Sequence, residues 1–395
     1  MKILMVNKFL YPNGGSETYI FKLGKQLESL GHQVQYFGME HEGRCVGNHA
    51  QQYTANMDFH GGSMLSKITY PVKTVYSAEA KRKMTVVLND FQPDIIHINN
   101  FNYQLTPSII YAADSYKKRA GKRVKIVFTA HDYQLVCPNH MMFDIDGNVC
   151  EDCVTKGYSS CIKKRCIHGS RAKSIIGATE ASLYRALKTY KMIDSVICCS
   201  EFLKSRMDTN PVFASKTIAL HNFIESVTDD NTEKDNYVLY FGRYDREKGI
   251  ELIMKAKDIN FICAGSGEFE KEINKQPHIK NVGFKSGDEL KSLIQRAKCS
   301  VYPSVWYENC PFSVMESIMY GTPVVGSRIG GIPELIDDGK TGILFEAGNT
   351  EDMENAINKI LLNDDLAKEM SINCKNARFD TVSDYTEKLL KIYNS

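Results

Sequence analysis

Two carboxylates, Glu308 and Glu316, stand with seven residues between them in the run Trp306-Tyr307-Glu308-Asn309-Cys310-Pro311-Phe312-Ser313-Val314-Met315-Glu316. Carboxylates accept hydrogen bonds from hydroxyl groups, so such a pair suits a sugar or a ribose. Pro311 fits the first turn of a helix, where its missing N–H costs nothing. Gly321 fits a C-terminal cap, and Pro323 forbids continuation. The pattern predicts Glu308 on the loop entering a short helix and Glu316 about two turns inside it. A strand, Cys299–Pro303, precedes the loop. Ligands of open α/β sheets bind beyond the carboxyl ends of strands, where this layout puts the acids. On spacing alone, a solvated loop acid and a helix-surface acid fit equally well.

Arg243 and Lys248 follow the strand Tyr237–Phe241 and precede the helix predicted at Ile250–Lys257, so both can point into one cleft. Arg offers a planar fork to phosphate oxygens and Lys a point charge; taken alone they are two surface cations. Near the start, Asn13-Gly14-Gly15-Ser16-Glu17 forms a loop after the strand Lys2–Val6, ahead of a helix expected from Thr18 to Leu30. Glycines allow a close approach to phosphate, although an ordinary turn has the same composition. Gly265-Ser266-Gly267 is a lone G-x-G and not a dinucleotide fingerprint. His131 follows the strand Val124–Thr129; alone it would be a satisfied core histidine.

Taken in order, these motifs carry a resemblance. Gly242-Arg243-Tyr244-Asp245-Arg246-Glu247-Lys248-Gly249, Gly265-Ser266-Gly267-Glu268, Val282-Gly283-Phe284, the Glu308/Glu316 pair, Gly330-Gly331-Ile332-Pro333-Glu334 and Asp338–Phe345 resemble the donor-binding half of retaining glycosyltransferase family 4, which has the GT-B fold. The likeness covers nearly the whole chain and is sharpest from Tyr237 to about Ala347. It implies an α/β protein of two Rossmann-like doubly wound domains facing across a cleft, with a C-terminal helix crossing back to the first. It implies a nucleotide-sugar donor as substrate, no catalytic cofactor, and a glycan or lipid-linked acceptor. Arg243 and Lys248 then neutralise the leaving diphosphate, Glu316 holds the ribose, and Glu308 meets the transferred sugar. The amides of Asn309, Cys310, Phe312 and Ser313 face sugar and phosphate. The base lies near Gly283-Phe284, with Leu290 or Ile294 lining its pocket. Gly14 and Gly15 lie opposite the diphosphate, and His131 gives positioning or electrostatic support. The departing phosphate helps take the acceptor proton, so no dedicated general base is assigned.

Five cysteines cluster in sequence: Cys137, Cys150, Cys153, Cys161 and Cys166. Cys150 and Cys153 form a CxxC knuckle. With Cys166 and either Cys137 or Cys161 they match the donor set of a structural zinc site. An Fe–S cluster, reduced thiols or a redox pair fit the spacing as well. No open metal position is needed for the transfer.

The strand and helix alternation predicts parallel, doubly wound sheets. The expected division is 1–222 as acceptor-side domain with the cysteine-rich insertion at 137–168, 223–236 as linker, 237–378 as donor domain, and 379–395 as returning helix. Residues 1–222 hold 28 Lys/Arg against 18 Asp/Glu, and the remainder 21 against 29. A basic first half suggests an anionic partner, either a lipid phosphate acceptor or a membrane surface; domain docking and solubility are the plainer readings. Residues 163–191 carry eight Lys/Arg and one acid, Glu180, with an apolar stripe of Ile176, Leu183, Leu187 and Tyr190. Such a helix lies on an anionic membrane or packs on the sheet. No nucleic-acid motif accompanies the charge. No signal-peptide layout or spanning apolar run is present, which sets the expectation of a cytoplasmic protein, soluble or peripheral on the membrane. Competing readings are a nucleotide-sugar hydrolase or epimerase, a non-catalytic GT-B-like subunit that binds glycan or membrane, and a membrane scaffold.

Overall fold

A computed structural model of the chain describes residues 1–56, 73–225 and 233–395. Half of the linker expected at 223–236, residues 226–232, lies outside the described residues. The chain divides into two compact units: Met1–Ile145 with Cys150–Asn222 and Val382–Ser395, and Asp146–Val149 with Phe223–Thr381.

The first unit is built on β1 (Lys2–Val6), β2 (Gln33–Phe37), β3 (Ile95–Ile98), β4 (Lys125–Ala130), β5 (Ser195–Cys198) and β6 (Thr217–Ala219). They form one parallel six-stranded sheet in the order β2-β1-β3-β4-β5-β6. Strands covered on both faces read as apolar runs, and β3, β4 and β5 are buried along their whole length. The exception in β3 is His97, fully buried and paired in register with Met5 and Val127. Its Nε2 meets Thr129 Oγ1 at 2.7 Å and its Nδ1 meets the Tyr393 hydroxyl at 2.6 Å. Tyr393 lies on the C-terminal helix Val382–Asn394, which buries Tyr385, Leu389 and Ile392 in this unit. That helix begins at Val382, three residues after the expected bound at 379.

The second unit repeats the plan with β7 (Val238–Phe241), β8 (Phe261–Ala264), β9 (Ile279–Asn281), β10 (Cys299–Tyr302), β11 (Val324–Ser327) and β12 (Gly342–Phe345). This sheet is also parallel, in the order β12-β11-β10-β7-β8-β9. Tyr240, Ile253, Phe261, Val301, Phe345 and Ile357 are among its core. Both units are therefore Rossmann-like. Strand order reverses between β1 and β3 in one sheet and between β7 and β10 in the other. Adjacent loops diverge at such a switch and leave a crevice at the strand C-termini.

The basic segment forms a helix, Arg171–Ala186, whose Ser170 cap accepts a hydrogen bond from the Lys173 amide. Its inward face is mostly small: Ser174, Gly177 and Ala178 are buried together with Tyr184. Of the apolar stripe read from sequence, Tyr190 is buried in a following 3₁₀ turn, whereas Leu183 and Leu187 are 41% and 56% exposed.

Candidate active site

The β7/β10 switch carries the richest chemistry. A cavity of about 170 Å³ there is lined by Tyr240, Gly242, Arg243, Lys248, Tyr302 and Ser304. Two loops close around it. The Val305 amide donates to Glu247 O at 3.0 Å, which ties the 3₁₀ turn Arg246–Lys248 to the loop leaving β10. Gly249 follows at φ +71°, and a Cβ there would stand 1.8 Å from Pro303 O. Any side chain would force the loops apart. Their approach lets Lys248 Nζ reach Glu308 Oε1 at 2.6 Å.

Glu308 is only 5% exposed. Three further groups donate to the same oxygen: Trp306 Nε1 at 2.7 Å, Ser304 Oγ at 2.8 Å and the Tyr302 hydroxyl at 3.4 Å. None of the four engages Oε2. The Lys248 ammonium also lies 5.3 Å from the Trp306 ring centroid, a cation–π contact. From behind, Gly330 at φ +59° packs so tightly that a Cβ would meet Glu308 O at 2.3 Å, and the Gly331 amide donates to that oxygen at 2.7 Å. Burial alone would raise the Glu308 pKa, but the Lys248 charge and the donors outweigh it and hold it below the usual carboxylate range. Burial likewise works to lower Lys248, and Glu308 reverses this to a net rise. Both groups are charged at neutral pH. Sequence reasoning missed Tyr302, Ser304 and Trp306; the one available signal was the lone tryptophan two residues before Glu308.

Arg243 lines the same cavity from the solvent side, 64% exposed, in ion pairs with Asp245 and Glu247. It also borders a second cavity of about 270 Å³, shared with Gly242, Ala264, Gly265, Phe284 and Leu290. Phe284 is 74% exposed, a bare aromatic face beside this cavity, while Ile294 is buried in the core. The helix expected after Glu308 runs Phe312–Met319. Pro311 sits just before its first turn rather than in it, and Glu316 is its fifth residue, one turn inside rather than two. Gly321 ends it as expected: its amide donates to Ile318 O and that of Thr322 to Ser317 O, a Schellman cap. The amides of Phe312 and Ser313 have no intrahelical acceptor, being in the first turn. Asn309 and Cys310 are buried ahead of it.

In the first unit, His131 Nε2 meets Asn99 Oδ1 at 2.9 Å. The Asn99 Nδ2 group points at the Val6 and His97 carbonyls, which leaves Oδ1 to accept. Nε2 therefore carries the proton of the neutral ring and Nδ1 the lone pair. Burial pulls His131 down to about 4, so it is uncharged at pH 7. Gly14 and Gly15 are not a free loop: Gly14 caps the helix Gly15–Ser29, which starts three residues earlier than expected. The cause is Glu17, 2% exposed, which accepts from Asn7 Nδ2 and Ser16 Oγ at 2.8 Å and draws the turn into the sheet.

The expected metal site is not assembled. Among the described residues, no group of three or more His, Cys, Asp or Glu side chains is arranged to hold a metal ion. The five thiols are free: Cys137 Sγ donates to Asn139 Oδ1 at 2.9 Å, and Cys150 lies 3.2 Å from Lys164 Nζ. Cys153, Cys161 and Ile167 form an apolar plug with Tyr158 and Cys166, and this plug holds the loop. Also among the described residues, no helix is long and apolar enough to cross a membrane.

Residues 13–226 match the family model described as Glycosyltransferase Family 4, and residues 225–377 match Glycosyl transferases group 1. An uncharacterised glycosyltransferase of Methanocaldococcus jannaschii, MJ1178, is 29% identical over 53% of the chain, which spans 61% of that protein. An uncharacterised 42.6 kDa protein in the cps region of Klebsiella pneumoniae is 25% identical over the full length of both. The Anabaena protein Alr3699/HepE, solved with UDP and glucose, shares the fold with a TM-score of 0.66 at 16% identity, covering 100% of this chain and 99% of its own.

Proposed function

The chain belongs to glycosyltransferase family 4 and is a glycosyltransferase; on that premise we propose that it moves a hexosyl residue, with retention, from a UDP- or GDP-sugar to a glycan or lipid-linked acceptor in cell-surface polysaccharide synthesis. The observation that carries this reading is the pair of adjoining cavities at the β7/β10 switch. One holds Arg243 and Lys248, and the other offers Phe284 and Leu290. A nucleotide-sugar needs both: cations for its diphosphate and an apolar surface for its base.

The chemistry follows from the charges. As the glycosidic bond to phosphate breaks, negative charge grows on the diphosphate. Lys248, Arg243 and the first-turn amides of Phe312 and Ser313 stabilise it without reorganising. Glu308 keeps Lys248 in place through Oε1 and leaves Oε2 for a sugar hydroxyl. Glu316 takes the ribose hydroxyls. Retention follows if the acceptor enters on the face the diphosphate leaves, with a phosphate oxygen taking its proton. His131, neutral and hydrogen-bonded to Asn99, orients a hydroxyl and adds no charge. The place of the Klebsiella pneumoniae relative in a cps region supports the polysaccharide context. UDP in the Anabaena structure supports a uridine donor.

The membrane is the proposed place of work, on its cytoplasmic side. In the Arg171–Ala186 helix, Ala172, Ile175, Thr179, Leu183, Ala186 and Leu187 share one outward face at helical spacing, and Arg171 and Lys173 flank it. An exposed apolar face with basic borders suits an anionic lipid surface.

Thermal shifts against UDP, GDP, ADP and their sugar conjugates test the donor. Stabilisation by one base family is expected; no shift with any removes the reading. The anomeric proton coupling of the product, read by NMR, tests retention.

A further inference from the structure

We propose that Tyr19 and Tyr385 are positioning residues for His131, through which the returning helix Val382–Asn394 holds that imidazole in its working orientation. The inference rests on the sugar-transfer reading, in which His131 orients a hydroxyl, and adds the two residues that stand behind it.

A closed circuit of hydrogen bonds starts and ends on the returning helix. The Tyr393 hydroxyl meets His97 Nδ1 on β3 at 2.6 Å, and His97 Nε2 meets Thr129 Oγ1 on β4 at 2.7 Å. Thr129 Oγ1 lies 3.4 Å from the hydroxyl of Tyr19, which belongs to the helix Gly15–Ser29. The Tyr19 and Tyr385 hydroxyls then meet at 2.8 Å. Tyr385 and Tyr393 stand about two turns apart on the returning helix. Burial holds His97 down at about 3 and lifts Tyr19 up to about 12, with Tyr385 and Tyr393 raised as well, so the whole circuit is uncharged at neutral pH. Each hydroxyl has one proton to give, and the neutral His97 ring gives from one nitrogen and accepts at the other.

The circuit reaches His131 by two routes. Residues two apart on a strand share a face, which places His131 above Thr129 and Asn99 above His97. The strands β3 and β4 thus carry two polar rungs with the same diagonal offset: His97 to Thr129 at 2.7 Å, and Asn99 to His131 at 2.9 Å. Tyr19 touches both rungs. Its hydroxyl joins the lower one, and its ring packs edge-on to the His131 ring, with centroids 5.0 Å apart and planes at 71°. Asn99 fixes which nitrogen of His131 carries the proton, and Tyr19 fixes how the ring is turned.

Docking a helix does not require this chemistry. Apolar side chains of similar volume commonly hold as well, because every buried polar group must first lose its water. Here three tyrosines, a histidine and a threonine are each at most 2% exposed. Hydrogen bonds have direction where apolar contact has little, so the circuit sets the rotation of Tyr19 and not only its depth. Of the seven residues in the circuit and the two rungs, only His131 is half-buried rather than buried. What the circuit does for a ligand therefore passes through that ring. A site is precise when the rotamers of its side chains are locked by packing and by hydrogen bonds behind them.

The test uses the full chain labelled with ¹⁵N-histidine, with His131→Gln to assign the His131 ring signals. Tyr385→Phe removes one hydroxyl and keeps the ring. It is expected to shift or broaden the His131 signals. It should also lower kcat about tenfold for release of UDP or GDP from nucleotide-hexoses, with methyl hexopyranosides as acceptors, at an unchanged KM for the nucleotide-hexose. Tyr19→Phe should act in the same way, and the double variant should be no worse than Tyr19→Phe, since the bond between the two hydroxyls is lost only once. Leu389→Ala is the control: Leu389 is fully buried on the same helix and outside the circuit. It should lower Tm while the His131 signals and kcat stay as in wild type. Unmoved His131 signals or a wild-type kcat in the two tyrosine variants, or an equal change in Leu389→Ala, overturns the proposal. If the His131 signals depend on Tyr385 but no nucleotide binds to the wild type, the circuit stands and the transferase reading fails.

Discussion

Lys248 and Glu308 form a 2.6 Å ion pair across the β7/β10 switch, with Glu308 Oε1 taking four donors at once. The pair is asymmetric. Without Lys248, the carboxylate keeps Trp306, Ser304 and Tyr302. Without Glu308, a buried ammonium loses its counter-charge and keeps a tryptophan face. Glu308→Ala is therefore expected to cost about 3–5 kcal/mol of stability, and Lys248→Met clearly less. On activity, Lys248→Met should lower kcat by about 10²–10³ through loss of leaving-group stabilisation. Urea unfolding and steady-state kinetics on both variants check this. Full turnover in Lys248→Met would remove its assigned role.

The single tryptophan of the chain touches both members of that pair. Its emission should therefore respond when a diphosphate reaches Lys248. Titration of UDP or GDP, excited at 295 nm, where indole is selectively excited, is expected to give a saturable change that Lys248→Met largely abolishes. A thermal shift with no emission change would place the nucleotide away from Lys248.

The strands were legible because their residues carry the signal themselves: Ile95–Ile98 and Val238–Phe241 are apolar runs that suit burial on both faces. The end of the helix after Glu308 was legible through Gly321, and its start only to within a residue through Pro311. The ring around Glu308 was not, because Tyr302, Ser304 and Trp306 converge only when Gly249 and Gly330 let three loops close on one carboxylate. The Arg171–Ala186 helix misleads for a related reason. Periodicity finds its apolar stripe, but Ser174, Gly177 and Ala178 pack inward and leave the bulky residues outside. The cysteines show how spacing fails: five thiols near in sequence stay free and, among the described residues, form no group arranged to hold a metal.

Asp132 sets a pH dependence. Burial raises its pKa from 3.8 to about 6, with the Gln134 amide and Lys8 opposing. His131 and His140, held down at about 4 and about 3, stay neutral through this window. As pH falls through 6, Asp132 protonates and its negative charge, felt by Lys8, is lost. If this charge serves the reaction, kcat/KM falls about tenfold per pH unit below 6, and Asp132→Asn should flatten that limb. Stability moves the other way. A carboxyl whose folded pKa is raised favours the fold at low pH, and that contribution is lost as pH rises from about 4 to 6. An identical acidic limb in Asp132→Asn would assign the titration elsewhere.

Glu180 offers a cleaner stability test. Burial in the first unit raises its pKa from 4.5 to about 8, and no opposing partner acts on it. Between those values the unfolded chain ionises it and the fold does not, so stability declines as pH rises through that window. Glu180→Gln keeps the shape and removes the ionisation. Its Tm gain over wild type should be larger at pH 8 than at pH 5. An equal difference at both pH values would mean that Glu180 ionises freely in the fold.

The outward face of the Arg171–Ala186 helix predicts membrane behaviour that sets apolar and charge contributions apart. Ile175, Leu183 and Leu187 are 45%, 41% and 56% exposed, and burying such side chains in the lipid interface is favourable by roughly 25 cal/mol per Å² of apolar area. Arg171 and Lys173 at its borders add about 1 kcal/mol each near an anionic surface. Binding to vesicles containing phosphatidylglycerol should exceed binding to phosphatidylcholine alone, and salt should weaken it without abolishing it. Leu183→Glu with Leu187→Glu should release the protein from both, while leaving nucleotide binding intact, because neither residue lines a donor cavity. Arg171→Gln with Lys173→Gln should remove only the preference for anionic lipid. Equal flotation of wild type and the leucine double variant would show that this face stays in water, and a concentration-dependent dimer lost in that variant would show that it meets another copy of the chain instead.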